Sequence, residues 1–493
     1  MVGSMRFGGA RVEAWDLNGI DINSDSTVDW QDDGRTFQSS YFMMDITNPE
    51  APPVLLGELV RKAGEAQLGF TTATPTPVVM KSDAGAGDWY LLLGSGPSGN
   101  NAEGPSDDKL QGKSSQDPRV AIISLNDLID QSIGFRIPDS NPTSTAPGRY
   151  VLSDSANGFV SDMITIDYDL DSYYKSDAVY FGTVEHGSDT TGSTASFDDD
   201  WDGRLYRLVM DHDATGGATT PDEWEASLLL NAGKPITAAP TVATDLHRFW
   251  VYFGTGRFFD ADMDKPDDAQ QSFFGVKEPV DCTDASFPFT WSTVDAANLE
   301  NVTDIEVTQS SSMGTATVTG TVPTNEGIST FSGLVDHIAG SYATCASDPA
   351  GWYRNFTNED PERNVGQAAL LGGLLTFTTY VPNTEVCEQD GEAYLYGLHY
   401  QTGTPNYQTV FGSDALEAIE DSDDSLVKES ISIGRGLATT PNLHVGSGGG
   451  GGDDDGPTTF VQTSTGEIVE LPQTNLPKAF RSGRRNWLEI DSQ

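Results

Sequence analysis

The stretch WVYFGTGR at residues 250–257, with QSFFGV at 271–276 after it, decides the fold class of this chain. Both runs are short, rich in aromatic and β-branched residues, and broken by Gly, Thr or Ser, which is typical of strands between turns. The run ITAAPTVAT at 236–244 precedes them and contains a further strand. The three runs together predict one small sheet built from consecutive strands.

The same order of runs occurs five times along the chain. In each unit a segment with Pro, Ala or Ser leads into a first strand, an apolar strand that ends in Gly or Thr comes next, and a strand rich in Leu, Tyr or Val follows. The runs are 73–80, 89–96 and 119–125; 158–167, 178–183 and 203–210; 236–244, 250–257 and 271–276; 365–372, 374–382 and 393–400; 437–446, 458–464 and 467–472.

Such sheets cannot bury both faces alone, and radial stacking of the sheets buries them, which predicts an all-β fold of the β-propeller type. The runs at 5–16 and 39–49 are expected to be outer strands of a further blade whose inner strands are not in this chain. A single propeller domain over 1–493 is therefore predicted, incomplete at its N-terminus. A β-sandwich or a pair of sheet domains is the alternative.

Two loop insertions and few helices are predicted. A segment rich in Thr, Ser, Val and Asp at 279–352 is expected to lie between blades, and 445–456 is a Gly- and Asp-rich flexible loop. The run AALLGGLLTF at 368–377 is apolar all round and contains two glycines, which favours buried strands. The best helix candidates are 125–132 and 413–420.

The charge excludes some partners. The chain has 74 acidic and 27 basic residues, a formal net charge of −47. Nucleic acids and anionic lipid surfaces require a cationic footprint, so neither is an expected partner. A strongly negative surface attracts cations, although it is equally typical of high solubility or a salty habitat. No apolar stretch is long enough to span a membrane.

Several segments together resemble the C-terminal propeller of the PilC/PilY family. They are MRFGGARVEAWD (5–16), YFMMDITNPEAP (41–52), the run from ITAAPTVAT to QSFFGV (236–276), GWYRNFTNEDPERNVGQAALLGGLLTFTTYVPNTEVC (351–387), AYLYGLHYQTG (393–403) and SGRRNWLEI (482–490). The resemblance covers nearly the whole chain and keeps the order of the family segments.

This resemblance implies a protein outside the cytoplasm, at the pilus tip, at the cell surface, or in the periplasm or outer membrane. Members support assembly of type IV pili, oppose retraction, and act in adhesion and twitching motility. It implies about six to seven blades in the full propeller, no enzymatic activity, and contacts with pilus subunits or minor pilins and with a host or abiotic surface. The N-terminal half of the family is not in this sequence, so an upstream half encoded separately or lost is an expected partner.

The resemblance also implies a calcium loop. The family has an Asp-rich loop just before a Val-Tyr-x-Gly strand, and here DYDLDSYYKSD (167–177) precedes AVYFGT (178–183). Asp167, Asp169 and Asp171 match the first three ligand positions, and alternate oxygen side chains in a tight loop suit Ca²⁺. The ninth position is Lys175, so Asp177 is the expected fourth ligand. A solvated acidic turn is the alternative.

A second acidic loop has better calcium spacing but no support from the family. Asp21, Asn23, Asp25 and Asp29 place oxygen side chains at positions 1, 3, 5 and 9. These four residues are a second candidate set for Ca²⁺.

Three cysteines, Cys282, Cys345 and Cys387, form no CxxC pair, so a thiolate zinc site is not expected. One disulfide is expected in an oxidising compartment. Cys282–Cys345 would close the 279–352 insertion, and Cys345–Cys387 is the other pairing left open.

Enzymatic motifs are weak. GSGPSG at 94–99 fits a dinucleotide fingerprint but has neither the following helix nor the βαβ context. YLYGLHYQTG at 394–403 resembles the strand-end repeat of quinoprotein propellers, which makes a quinoprotein-like dehydrogenase the alternative function. The usual Trp after that repeat and an adjacent cysteine pair are both missing.

Overall fold

The computed structural model describes a large part of the chain. The described residues are 2–4, 41–59, 69–80, 87–97, 112–114, 117–125, 149–152, 157–168, 175–186, 201–210, 220–221, 223–244, 248–259, 264, 269–279, 291–310, 316–340, 349–359, 361–383, 391–419, 424–445 and 457–477.

Two compact units share the chain. Unit 1 comprises Met1–Pro240, Arg257–Asp267 and Asp284–Val294. Unit 2 comprises Thr241–Gly256, Asp268–Thr283 and Asp295–Gln493. The described residues of each unit form mainly antiparallel sheets, and each unit is described separately.

The described residues of unit 1 form three sheets. The first has the order β1 (Val2–Ser4), β2 (Tyr41–Asp45), β3 (Val54–Leu59). The second has the order β4 (Thr76–Met80), β5 (Asp88–Gly94), β6 (Arg119–Ser124), β7 (Arg149–Leu152). The third comprises β8 (Gly158–Ile166), β9 (Ala178–His186), β10 (Trp201–Asp202), β11 (Arg204–Val209) and β12 (Glu225–Asn231), in which β9 pairs with β8, β10 and β11, and β11 pairs with β12.

The core of unit 1 lies between the second and third sheets. Alternate residues of their strands point inward, as Val78 and Met80 do on β4, and Leu92 on β5 packs in the same cluster as Phe181 and Leu208. The period-2 pattern of the strands therefore produces one shared apolar layer.

In unit 2, the part of the chain that the structure describes forms three consecutive sheets and a smaller one. The first joins β13 (Thr241–Thr244), β14 (Phe249–Gly254), β15 (Ser272–Lys277), β19 (Gly351–Asn355) and β16 (Glu300–Asn301), in that order. The second joins β20 (Ala369–Leu371), β21 (Leu374–Val381), β22 (Glu392–His399) and β25 (Ser430–Arg435), and the third joins β26 (Asn442–His444), β27 (Thr458–Gln462) and β28 (Ile468–Pro472). The small sheet has the order β18 (Thr317–Thr319), β17 (Glu306–Gln309), β24 (Ser425–Val427), β23 (Leu416–Ala418).

The described helices of unit 2 lie in the predicted insertion. They are α1 (Thr321–Glu326) and α2 (Phe331–Ala339), with a 3₁₀ turn at Ala296–Asn298. Leu334 and Ile338 of α2 are fully buried in the cluster that contains Trp250 and Trp352. The insertion from Asp295 onward thus contributes to the unit 2 core, and it also supplies β17, which pairs with β24.

The all-β prediction is confirmed, since antiparallel strands dominate the described residues. The runs predicted as strands each contain a strand, and 368–377 forms β20 and the start of β21. Of the two runs predicted for a first blade, 5–16 lies outside the described residues and 39–49 contains β2.

One helix prediction was wrong. Residues 413–420 form a 3₁₀ turn at Gly412–Ala415 and then β23, because Leu416 pairs with Val427 of β24. The other candidate, 125–132, lies outside the described residues except for Leu125. Within the described part of the chain, no helix is both long and apolar enough to cross a membrane.

Candidate functional site

The predicted calcium loop lies between two long strands of unit 1. β8 and β9 pair up to Ile166 and Ala178, so the next opposed positions are Asp167 and Asp177. The loop therefore starts and ends with a carboxylate, one on each strand of the hairpin. Asp169 and Asp171 lie outside the described residues.

Asp177 is held at the base of this hairpin. Its side chain is fully buried, and its Oδ2 accepts a hydrogen bond from the Tyr168 amide at 2.6 Å. Its own amide donates to the Ile166 carbonyl at 2.9 Å, and its carbonyl accepts from the Met210 amide at 2.9 Å. Three fixed bonds thus set the position of this carboxylate before any ligand arrives.

Neighbouring residues anchor the hairpin to β4. The Ser176 amide donates to the Val79 carbonyl at 2.8 Å, and the Val79 amide donates to Ser176 Oγ at 3.1 Å. Lys175 is buried, with 8% of its surface exposed. Residues 175–177, where the loop ends, are therefore part of the packed body of unit 1.

The described part of this loop supplies two carboxylates of the predicted calcium set, Asp167 and Asp177. Opposed like charges on a strand pair are destabilising, and a divalent ion removes that repulsion. A carboxylate has about four lone-pair sites, so Asp177 can hold the Tyr168 amide and still bind a cation. The described residues contain no group of three or more His, Cys, Asp and Glu side chains that could hold a metal ion, and Asp169 and Asp171 lie outside them. The second predicted set, Asp21, Asn23, Asp25 and Asp29, lies outside the described residues.

A repeated junction, which sequence reasoning did not identify, occurs on one strand of three sheets: it lies at the end of β5 and of β14 and within β9. Each junction is a glycine followed by a hydroxyl residue: Gly94–Ser95, Gly182–Thr183 and Gly254–Thr255. Each hydroxyl oxygen accepts a hydrogen bond at 2.9 Å from the first amide of a neighbouring strand, that of Arg119 in β6, Arg204 in β11 or Ser272 in β15. In each sheet the hydroxyl side chain therefore links the junction to the start of the neighbouring strand.

The same junction also binds the chain that enters the next sheet. The carbonyls of Ser95, Thr183 and Thr255 accept from the amides of Val160, Ile236 and Asn364 at 2.8, 3.0 and 3.0 Å. The side chains of those three residues pack directly on the preceding glycines, where a Cβ has no room. The three junctions therefore share one geometry, and the Gly-Ser/Thr doublet in the sequence was the available signal.

A buried acid, Glu362, holds the segment between β19 and β20. Its Oε1 accepts from Thr379 Oγ1 at 2.5 Å, from Tyr396 OH at 2.9 Å and from Asn358 Nδ2 at 3.0 Å. Its Oε2 accepts from the Asn358 amide at 3.0 Å. Burial raises the pKa of Glu362 above its ordinary value, although these hydrogen bonds act in the opposite direction. The segment is thus fixed to β21 and β22 by one carboxylate.

The turn that follows β22 is a packing surface for an indole ring. Trp352, from β19, donates its Nε1–H to the Tyr400 carbonyl at 3.1 Å and lies against Gly403, where a Cβ would meet its Cζ3 at 2.6 Å. Gly403 has φ +64°, a left-handed conformation that suits glycine. The segment 394–403, which resembles a quinoprotein repeat, is therefore packed against Trp352, a residue of the earlier strand β19.

Comparison with known proteins finds no family model and no curated protein that matches this chain. The geometry and the sequence resemblance are therefore the support for a function.

Proposed function

We propose that this chain is the β-propeller region of a PilC/PilY-like surface protein, a calcium-modulated binding module that supports assembly of type IV pili and attachment. It acts outside the cytoplasm, carries no enzymatic activity, and contacts pilus subunits and a host or abiotic surface. The family segments quoted above support the assignment to this class of protein.

The repeated Gly-Ser/Thr junction is the observation that best supports a propeller. The Gly-Ser/Thr junctions of three successive sheets have closely similar hydrogen bonds. The chain segment that follows each sheet is therefore attached to that sheet in the same way. Radial repetition of one sheet type around an axis is the architecture that uses such a constant step. Sandwiches with Greek-key connections do not require it.

Calcium acts on the contact between the propeller and the pilus. Asp167 and Asp177 lie at the hairpin base, and Asp169 and Asp171 between them complete the ligand set. Bound calcium would supply the positive charge that lets these carboxylates converge. Without it they repel one another, and the loop opens away from the anchored Ser176.

The function is tested in the producing cell by deleting the gene and restoring it with the wild-type gene. Deletion is expected to reduce surface pili and twitching, and a gene with Asp169→Ala and Asp171→Ala is expected to restore them only partly. Normal piliation and motility in the deletion strain would refute the proposal. Image averages of the purified protein by electron microscopy test the ring directly, with radial blades as the expected view.

The alternative, a quinoprotein-like dehydrogenase, is decided by turnover. The purified protein is incubated with pyrroloquinoline quinone, Ca²⁺, alcohols and an artificial electron acceptor. We expect no reduction of the acceptor above the rate without protein, and quinone-dependent reduction would replace the binding proposal.

A further inference from the structure

Two Asn-x-Thr tripeptides lie side by side in unit 2. One is Asn301-Val302-Thr303 and the other is Asn355-Phe356-Thr357. This tripeptide is the acceptor sequence for N-linked glycans in exported proteins, and a usable acceptor must lie at the surface. The strands that carry them, β16 and β19, are paired in parallel. They differ in their surroundings, so the structure distinguishes between two equal sequence motifs.

Asn301 is exposed at the end of the outermost strand of its sheet. β16 pairs with β19 and is the last strand in the sheet order. Asn301 Oδ1 accepts a hydrogen bond from the Thr303 amide at 3.0 Å, and a turn follows in which the Ile305 amide donates to the Val302 carbonyl at 3.2 Å. Among the described residues no group pairs with Asn301 Nδ2, the atom that would be modified.

The carboxamide of Asn355 is already engaged inside the sheet. β19 lies between β15 and β16, and Asn355 is paired with Ser272. Asn355 Oδ1 accepts a hydrogen bond from Ser272 Oγ at 2.6 Å, and the backbone amide of Asn355 donates to Thr303 Oγ1 at 3.0 Å. The residue is only partly exposed, and rotating its side chain outward would break the bond to Ser272.

We propose that Asn301 is an N-glycosylation site and that Asn355 is not. The donor class is an oligosaccharide linked through phosphate to a polyisoprenoid lipid. Asn301 Nδ2 attacks the anomeric carbon, the N–C bond forms as the C–O bond to the phosphate breaks, and the amide proton leaves to a base of the transferase. No electrons are exchanged with another reactant. The cellular part of this inference rests on the proposed location outside the cytoplasm.

A glycan at Asn301 would have a structural consequence. β16 is an edge strand, and exposed edges pair readily with strands of other chains. A bulky hydrophilic group on its last residue would block that pairing, whereas it would not reach β28, which ends the last sheet among the described strands. The modification would therefore restrict where an extended partner segment can add to unit 2.

The test is transfer in vitro with a purified oligosaccharyl transferase and its lipid-linked oligosaccharide. The folded wild-type chain is compared with the same chain denatured, and with N301Q, N355Q and T303S. Cleavage after glutamate releases 301–306 and cleavage after arginine releases 355–363, so mass spectrometry reads the two sites separately. We expect the glycan mass on 301–306 alone for the folded chain and on both peptides for the denatured chain.

The variants make the result specific. N301Q should lose all transfer to the folded chain, whereas N355Q and T303S should keep it, with thermal unfolding confirming that each is folded. A folded wild-type chain that accepts no glycan at Asn301, or accepts it equally at Asn355, overturns the inference. Fractionation of the producing cell tests location independently, so a chain outside the cytoplasm with an inert Asn301 would leave the proposed function intact.

Discussion

Single glycines set how closely the sheets of this protein can join. A Cβ on Gly254 would overlap the amide of Asn364, with Asn364 Cβ at only 2.6 Å, and Asn364 cannot withdraw because its Nδ2 donates to the Thr378 carbonyl at 2.7 Å. Gly254→Ala is therefore expected to destabilise unit 2 by about 1–3 kcal/mol, the usual cost of overpacking. Denaturant unfolding measures the change.

The matched control is Gly366→Ala in the same unit. The nearest atoms to a Cβ there are 3.5 Å away, an ordinary contact, so this variant should be within about 0.5 kcal/mol of wild type. Equal unfolding midpoints for the two variants would show that the junction tolerates a methyl group and does not fix the step between sheets.

Another residue, Glu362, makes stability depend on pH. Burial raises its pKa in the folded chain, so the folded state binds the proton more tightly than the unfolded state. Its favourable contribution is present below the ordinary glutamate pKa of about 4.3 and is lost as pH rises through the raised value. E362Q removes this titration. Between the ordinary and the raised pKa, the unfolding free energy of E362Q should therefore fall less with rising pH than that of wild type.

The neighbouring ion pair provides the comparison for this measurement. Burial acts against ionisation of Glu429, but Arg354 at 2.6 Å lowers the pKa of Glu429 overall. Its contribution has the opposite sign, since it is lost as pH falls. E429Q should therefore weaken the protein most at neutral pH, and identical pH profiles for E362Q, E429Q and wild type would contradict both assignments.

At the scale of elements, the β8–β9 hairpin is expected to bind calcium. A ligand that binds only the ordered loop stabilises it by about 2.7 kcal/mol at a hundredfold excess over Kd. Extracellular calcium sites have Kd of about 10⁻⁴–10⁻³ M, and Lys175 favours the weak end. Calorimetry on D169A/D171A should show binding lost.

The control removes the same charge from the acidic run at 453–455, which the sequence predicts to be a flexible loop. Asp453→Ala with Asp454→Ala changes the Gly/Asp-rich loop and should leave calcium binding unchanged. If both double variants bind like wild type, the loop from Asp21 to Asp29 becomes the leading site. No binding by wild type would leave the acidic loops as solvated surface.

Strands were predictable from this sequence because period-2 burial leaves a local pattern, whereas the described helices were missed. Residues 413–420 carry helix formers, yet Leu416 is paired with Val427, a partner that the local sequence does not reveal. α2 did leave a signal, with Thr330 capping the Gly333 amide and apolar residues at 331, 334 and 338. Likewise, the family resemblance implied Asp167 and Asp177 as ligands, but the buried position of Asp177 depends on Met210, which directly follows β11 and donates its amide to the Asp177 carbonyl.

At the scale of the whole molecule, the location of the protein determines its cysteine chemistry. Cys282, Cys345 and Cys387 lie outside the described residues, and an exported chain is expected to bridge two of them. A Cys282–Cys345 bond would contribute about 4 kcal/mol in the loop-entropy model. Peptide mapping without reduction identifies the pair, with Cys345–Cys387 as the other outcome. Three free thiols would argue against export.

The net charge of −47 is the last property of the whole chain with a measurable consequence. Like charges on a compact body repel, and unfolding separates them, so low ionic strength should destabilise the folded state. The Debye length falls from about 10 Å at 0.1 M to about 3 Å at 1 M salt, which removes most of the repulsion between surface carboxylates. Thermal unfolding should therefore shift upward by several degrees between these concentrations of NaCl.

Two comparisons separate screening from other effects of salt. Sucrose at matched osmolality stabilises by exclusion and does not screen, so it should give a smaller shift. Millimolar CaCl₂ should exceed NaCl of equal ionic strength in wild type, and this excess should disappear in D169A/D171A because it comes from the hairpin. An unfolding temperature that does not change with NaCl would show that the acidic residues are spaced widely enough not to interact, and their excess would then serve solubility alone.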